Sequence, residues 1–191
     1  MPLRTTAVGL GTGAAIVIIG TLVWTIVGER RFWPPADEQW KASLHWGLVG
    51  VFDVSLAIVA LQRWNTWVLP RLSSLFLGVT LSIVGLAAFV SSTRTMTTAE
   101  TTGQAASELY TDGLYARSRN PQYVGMIVGL VGFVLLVNAA AVAILALLQV
   151  IWVVLLPFAE EPWLRERFGD AYERYCDRVP RFVGLQTVRR K

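Results

Sequence analysis

The chain has 191 residues, 54% of them hydrophobic and only 16% charged, with a mean hydropathy of +0.51; this balance excludes an ordinary soluble domain and indicates a membrane protein. The net charge of +4 does not point to nucleic acid, because the arginines sit at the ends of apolar stretches and alternate with acids near the C-terminus, a pattern of membrane topology. One cysteine, Cys176, excludes an intramolecular disulfide and a cysteine-rich metal cluster, and one histidine, His45, argues against a histidine-based zinc site, so no metal is expected.

Residues 8–27 form an apolar run long enough, at ~1.5 Å per residue, to cross a ~30 Å hydrocarbon core. No small-residue cleavage pattern precedes the sequence GERRFWPP that follows, so the run reads as a first span rather than a signal peptide. Residues 28–43 are balanced in charge and rich in Trp and Pro, as in an interfacial loop. His45, beside Trp46, reads as an interfacial polar residue. A second span, 44–61, is interrupted by Asp53, whose exposure to lipid would cost several kcal/mol unless it faces the bundle. Asp53 is either a functional carboxylate or a packing group hydrogen-bonded between helices, with Gln149 as a partner.

Trp64 and Trp67 mark an aromatic belt in the connector 62–71, and 72–90 supplies a third span. The chain then turns polar and Thr-rich from 91, a long loop of the kind that is functional or disordered. From 123 to 158 it is again almost wholly apolar, and a single helix of that length would measure ~54 Å, far beyond the bilayer. A fold back at Asn138 resolves this into a helical hairpin with spans 121–137 and 139–158. The expected fold is therefore an all-α polytopic membrane protein of about five transmembrane helices, in one membrane domain.

The tail, 159–191, alternates charge and places Leu164, Phe168, Tyr172 and Tyr175 at three- and four-residue steps, which predicts one amphipathic helix or two short ones. Gly169 and Asp170 read as a stop and a new N-cap. Such a tail is expected to lie on the membrane surface or fold back as a lid, or else to form a solvated helix with no role in the site. Of the Lys and Arg residues, fourteen fall on the face that carries the 28–43 loop, the 91–122 loop and the tail, and three on the other. The positive-inside rule then puts the N-terminus outside and the 91–120 loop and C-terminus in the cytosol.

The stretch 112–123, DGLYARSRNPQY, crowds Gly, Pro, Tyr, Asn and Arg into one run between apolar regions. Asn120 before Pro121 is a helix-start signal, and a helix N-terminus beside Arg119 suits a carboxylate or phosphate. Glu160 and Glu161, bracketed by Pro157 and Pro162, are expected at or just past a helix C-terminus, where the macrodipole disfavours negative charge. They would take a cation or a hydroxyl-rich ligand, or else serve as surface acids paired with Arg165 or Arg167.

Gly113, Tyr115, Arg119, Asn120, Pro121, Tyr123 and Gly125, then a hairpin, Glu160 and Glu161, then Phe168, Gly169, Tyr172, Tyr175, Val179, Pro180 and Arg181, form an ordered set. This set resembles the isoprenylcysteine carboxyl methyltransferase and phospholipid methyltransferase group of integral membrane enzymes, over roughly 107–181. The resemblance implies a methyltransferase that uses S-adenosylmethionine and acts on the head group of a lipophilic, isoprenoid or phospholipid-like substrate at the cytosolic face. It implies cofactor contacts from Leu109, Tyr110, Tyr115, Arg119, Asn120, Pro121, Tyr123, Glu160 and Glu161, with 91–120 as the cofactor loop. The implied partners are the lipid bilayer and the lipid substrate, with no nucleic acid.

Three positions depart from the family pattern. Asn120 stands where histidine is common and cannot titrate near neutral pH. Ser107 stands where relatives have another histidine, and Leu156 where prenylcysteine enzymes have an arginine that holds the substrate carboxylate. A head group other than a carboxylate is therefore favoured, with Arg117 and Arg181 as candidates to position substrate if a charge must be replaced. Two other readings stay open: an NADPH-dependent, sterol-reductase-like membrane enzyme, and a non-catalytic scaffold or transporter in which Asp53 and Gln149 line a path.

Overall fold

The computed structural model describes residues 2–28, 30–67 and 69–184. The last part of the expected tail, 185–191, lies outside the described residues. The chain forms α1 (Pro2–Val27), α2 (Gln39–Gln62), α3 (Arg71–Thr93), a short α4 (Thr98–Thr101), a 3-10 turn (Gly113–Ala116), α5 (Pro121–Val137), α6 (Ala140–Phe168) and α7 (Asp170–Arg178). Among the described residues every regular element is helical. Helices α1, α2, α3 and α6 are long and apolar enough to cross a membrane, while α5, with 17 residues, is shorter. The protein is a polytopic all-α membrane protein.

Two packing modes build the bundle. Helices α1, α2 and α6 bury ordinary large side chains, among them Ile18, Leu22, Phe52, Val59, Leu145 and Val153. Phe52 and Trp152 meet edge to face with ring centroids 4.6 Å apart. Helices α3 and α5 instead meet backbone to backbone. A Cβ placed on Gly85 would lie 2.2 Å from the Gly129 nitrogen, so only a residue without a side chain permits that approach. Lipid tails are as apolar as leucine, so close van der Waals contact, not exclusion from water, holds such a pair. Helices α2 and α5 hardly touch, which leaves a gap floored by α6.

The chain reverses between α5 and α6 at Asn138, which adopts the left-handed conformation with φ 53°. Its Nδ2 donates to Asn65 Oδ1 at 2.9 Å and to the Leu69 carbonyl at 3.1 Å, and Arg71 donates to the Leu136 carbonyl at 2.8 Å. The α2–α3 connector thus pairs the turn's Val137 and Asn138 carbonyls and the Asn138 Nδ2, while Asn138 Oδ1 has no partner among the described residues.

Helix α6 corrects one expectation. It continues through Pro157 and Pro162 to Phe168, so Glu160 and Glu161 lie inside a helix and not at its end. Each proline removes one backbone N–H bond, but buried Val153, Leu156, Ala159 and Glu161 hold the helix on course. Gly169, at φ 53°, ends α6 and starts α7 directly.

Candidate active site

Glu160 sits one helical turn beyond Leu156 on the face of α6 that looks toward α5 and the 33–46 region. Its Oε1 accepts from the Tyr123 hydroxyl at 2.5 Å and from the Trp33 indole Nε1 at 2.9 Å. Tyr123 lies in the first turn of α5, so Pro121 at the helix start sets its orientation. Trp33 is placed by its own backbone, because the Phe32 and Trp33 amides both donate to Thr25 near the end of α1, at 3.0 and 3.2 Å. Its ring stacks on His45 at 4.0 Å. His45 is 3% exposed and so is a buried wall residue, not an interfacial one.

Glu161 faces elsewhere. Arg181 grips it through two bonds of 2.7 Å, the bidentate geometry that guanidinium favours. Arg119 approaches at 3.1 Å and Arg165 at 3.7 Å. Further contacts stitch the same two stretches together. The Arg119 amide donates to the Pro180 carbonyl at 2.9 Å, and Asn120 Nδ2 to the Arg181 carbonyl at 2.9 Å. The Asn120 side chain therefore does not cap its own helix, and the first-turn amides of α5 keep their donors free of it.

The connector between α3 and α5 is organised by Glu100. Thr97 and Glu100 form a capping box around α4, and the Ser107 and Tyr110 hydroxyls also donate to the Glu100 carboxylate. Against the effect of burial, the bonds from Ser107 and Thr97 hold that carboxyl down at about 2. Tyr115 donates to Gln122 at 3.0 Å, and its carbonyl accepts from the Tyr175 hydroxyl at 2.7 Å. Burial pushes both phenols up, so they act as neutral donors. Through Tyr172, Tyr175 and Val179, α7 folds back against Leu109, Leu164 and Phe168.

These elements enclose a cavity of about 300 Å³. Leu109, Tyr110, Tyr115, Arg119, Asn120, Tyr123 and Glu160 line it together. Pro121 is buried in the first turn of α5, Glu161 and Arg181 form the ion cluster described above, and none of the three lines the cavity; nor does Arg117. Leu156, at the arginine position of prenylcysteine enzymes, is a cavity wall. Trp33, His45 and Glu100 were not among the expected site residues. The T-x-x-E spacing of Thr97 and Glu100 is a signal that could have found the last, whereas no local pattern ties Trp33 to a glutamate 127 positions away.

Among the described residues five buried polar side-chain atoms lack a hydrogen-bond partner, and three of them, His45 Nδ1, Arg119 Nε and Gln149 Oε1, belong to residues that line this cavity. Unsatisfied buried groups are uncommon, and gathered at one cavity they mark a place where a ligand completes the bonding.

No curated protein and no solved structure matches the chain. The phospholipid methyltransferase family matches residues 73–171, just over half of the 191, a segment that runs from α3 to the start of α7 and contains the cavity's Tyr115, Asn120, Tyr123 and Glu160. The chain belongs to the phospholipid methyltransferase family.

Proposed function

We propose that the protein is an S-adenosylmethionine-dependent methyltransferase acting on the head group of a lipophilic, isoprenoid or phospholipid-like substrate at the cytosolic membrane face. The observation that carries this reading is Glu160: a carboxylate held by two neutral donors, at the head of a cavity where, among the described residues, His45 Nδ1 and Arg119 Nε lack partners. When bound, the cofactor supplies an electrophilic methyl group on a sulfonium sulfur.

The residues present fit such a molecule. Glu160 accepts from its ammonium or ribose hydroxyls. The start of α5 with Arg119 offers positive potential and N–H donors to its carboxylate, and Glu161 acts indirectly by fixing Arg119. Tyr110 and Tyr115, with ring centroids 6.0 Å apart, offer aromatic walls to a base. Phe89, Met126, Trp152 and Leu156 exclude water from the remainder of the cavity. Methyl transfer needs an in-line approach at close range, so positioning is the main contribution asked of these side chains.

S-adenosylmethionine or its demethylated product should raise the melting temperature of the detergent-solubilised protein, by the equivalent of about 2.7 kcal/mol at a hundredfold excess over Kd. Glu160→Ala should remove most of that shift. A wild-type protein unmoved by millimolar ligand would sink the reading. Cys176, the single cysteine, checks the orientation: in right-side-out vesicles a membrane-impermeant maleimide should fail to label it, and labelling there would reverse the topology.

A further inference from the structure

The cavity runs along α6 beyond the residues assigned to the cofactor. Gln149 precedes Glu160 by eleven residues on α6, about 16 Å of helix. At this deep end Gln149 is joined by Asp53 of α2. Asp53, Gln149 and Met126 also border a second cavity, of about 370 Å³, whose other walls include Leu56, Leu130, Phe133 and Val153. That cavity occupies the gap where α2 and α5 hardly touch. One polar threshold thus separates a chamber near Glu160 from an apolar gap between spans.

The threshold combines an anionic acceptor, Asp53, with the amide of Gln149, whose oxygen accepts and whose Nε2 can donate. Asp53 is exposed to this space and makes no hydrogen bond or ion pair with any described residue, Gln149 included. Gln149 Oε1 is buried and unpartnered. Among the described residues, the one cationic side chain lining either cavity is Arg119, at the Glu160 end and engaged by Glu161. A carboxylate left unpaired within a span is costly and is a functional position by default. An N–H or O–H donor would satisfy both acceptors, whereas a carboxylate or phosphate would be repelled.

The geometry points to Asp53 and Gln149 as a head-group site that takes the hydrogen-bond-donating group, amine or hydroxyl, of a lipid whose hydrocarbon chain lies between α2 and α5. This rests on the methyltransferase reading, in which that lipid is the methyl acceptor and the Asp53–Gln149 threshold is an entry site on its path to the cofactor near Glu160, not the place of transfer. Asp53 falls outside the matched segment 73–171, so family membership alone does not assign it a role.

The test uses three diazirine-bearing dodecyl probes with amine, hydroxyl and carboxylate heads, photolysed with protein in phosphatidylcholine nanodiscs containing S-adenosylhomocysteine. Peptides covering Leu56 and Ala57 of α2 and 127–133 of α5 should be labelled by the amine and hydroxyl probes about tenfold more than by the carboxylate. Asp53→Asn should cut labelling by the amine about tenfold without lowering that by the carboxylate, and Gln149→Leu should weaken both donor probes. The thermal shift with S-adenosylhomocysteine should stay at its wild-type size in both variants. Labelling that is absent, indifferent to head group or unchanged by Asp53→Asn overturns the inference. Loss of the shift in the wild type, with head-group selectivity intact, overturns the cofactor reading instead.

Discussion

Glu160 and Glu161 are neighbours in sequence but lie about 100° apart around α6, and they face two different halves of the protein. On one side, Arg119, Arg165 and Arg181 converge on Glu161 and join the 118–120 stretch to the 180–181 stretch. On the other, Glu160 receives, among the described residues, only the uncharged donors of Tyr123 and Trp33. The difference separates structure from binding. A carboxylate whose charge is neutralised within the chain holds elements together, and one whose charge is not neutralised can still attract a ligand.

The largest expected effect comes from breaking the neutralised side. Glu161→Gln leaves Arg119, at 10% side-chain exposure, without its counter-charge. Unfolding free energy in detergent should fall by about 3–5 kcal/mol, the cost of orphaning a buried charge, with denaturant melts as the check. Next comes Gly85→Ala, where the new methyl would meet the Gly129 backbone and drive α3 and α5 apart; overpacking of this kind costs about 1–3 kcal/mol. Tyr123→Phe removes one donor from Glu160 and should cost about 1 kcal/mol of stability, read from the same melts, with a clearer loss in cofactor affinity.

The smallest effect concerns Glu100. Its folded-state pKa is depressed from 4.5 to about 2, so its contribution is present above pH 4.5 and is lost as pH falls through about 2. Glu100→Gln should therefore change neutral-pH stability by a few tenths of a kcal/mol, since the group is largely solvated. Hydrogen exchange of the 97–110 connector should show the wild-type protection fading in that acid window and the variant indifferent to it. Equal acid sensitivity of the two would remove Glu100 as the organiser of this segment.

Some of this was legible in the sequence and some was not, for identifiable reasons. Apolar length and the polar Asn138 announce a membrane bundle with a reversal in the last apolar region, because the bilayer thickness leaves a run of that length no other solution. The rotation that parts Glu160 from Glu161 was not legible, since it depends on where Arg119 and Arg181 arrive from loop and tail. Pro157 and Pro162 suggested a helix end, but tertiary packing carried α6 two turns further. Trp33 reaches Glu160 through a fold-wide contact that no periodicity encodes. Asp53 stood out as an intramembrane carboxylate, yet its lack of a partner among the described residues and its place at the junction of two cavities are properties of the assembled helices.

The contrast between the two carboxylates is tested most directly by titrating S-adenosylhomocysteine calorimetrically into detergent-solubilised wild-type protein and Glu160→Gln. Glutamine keeps an acceptor oxygen for Tyr123 and Trp33 while replacing the charge and the second oxygen with an amide NH2. The account predicts saturable binding to the wild type, at least about tenfold weaker binding to the variant, and little difference between the two melting temperatures without ligand. Equal affinity in the two proteins, or no binding to the wild type at millimolar ligand, would contradict it.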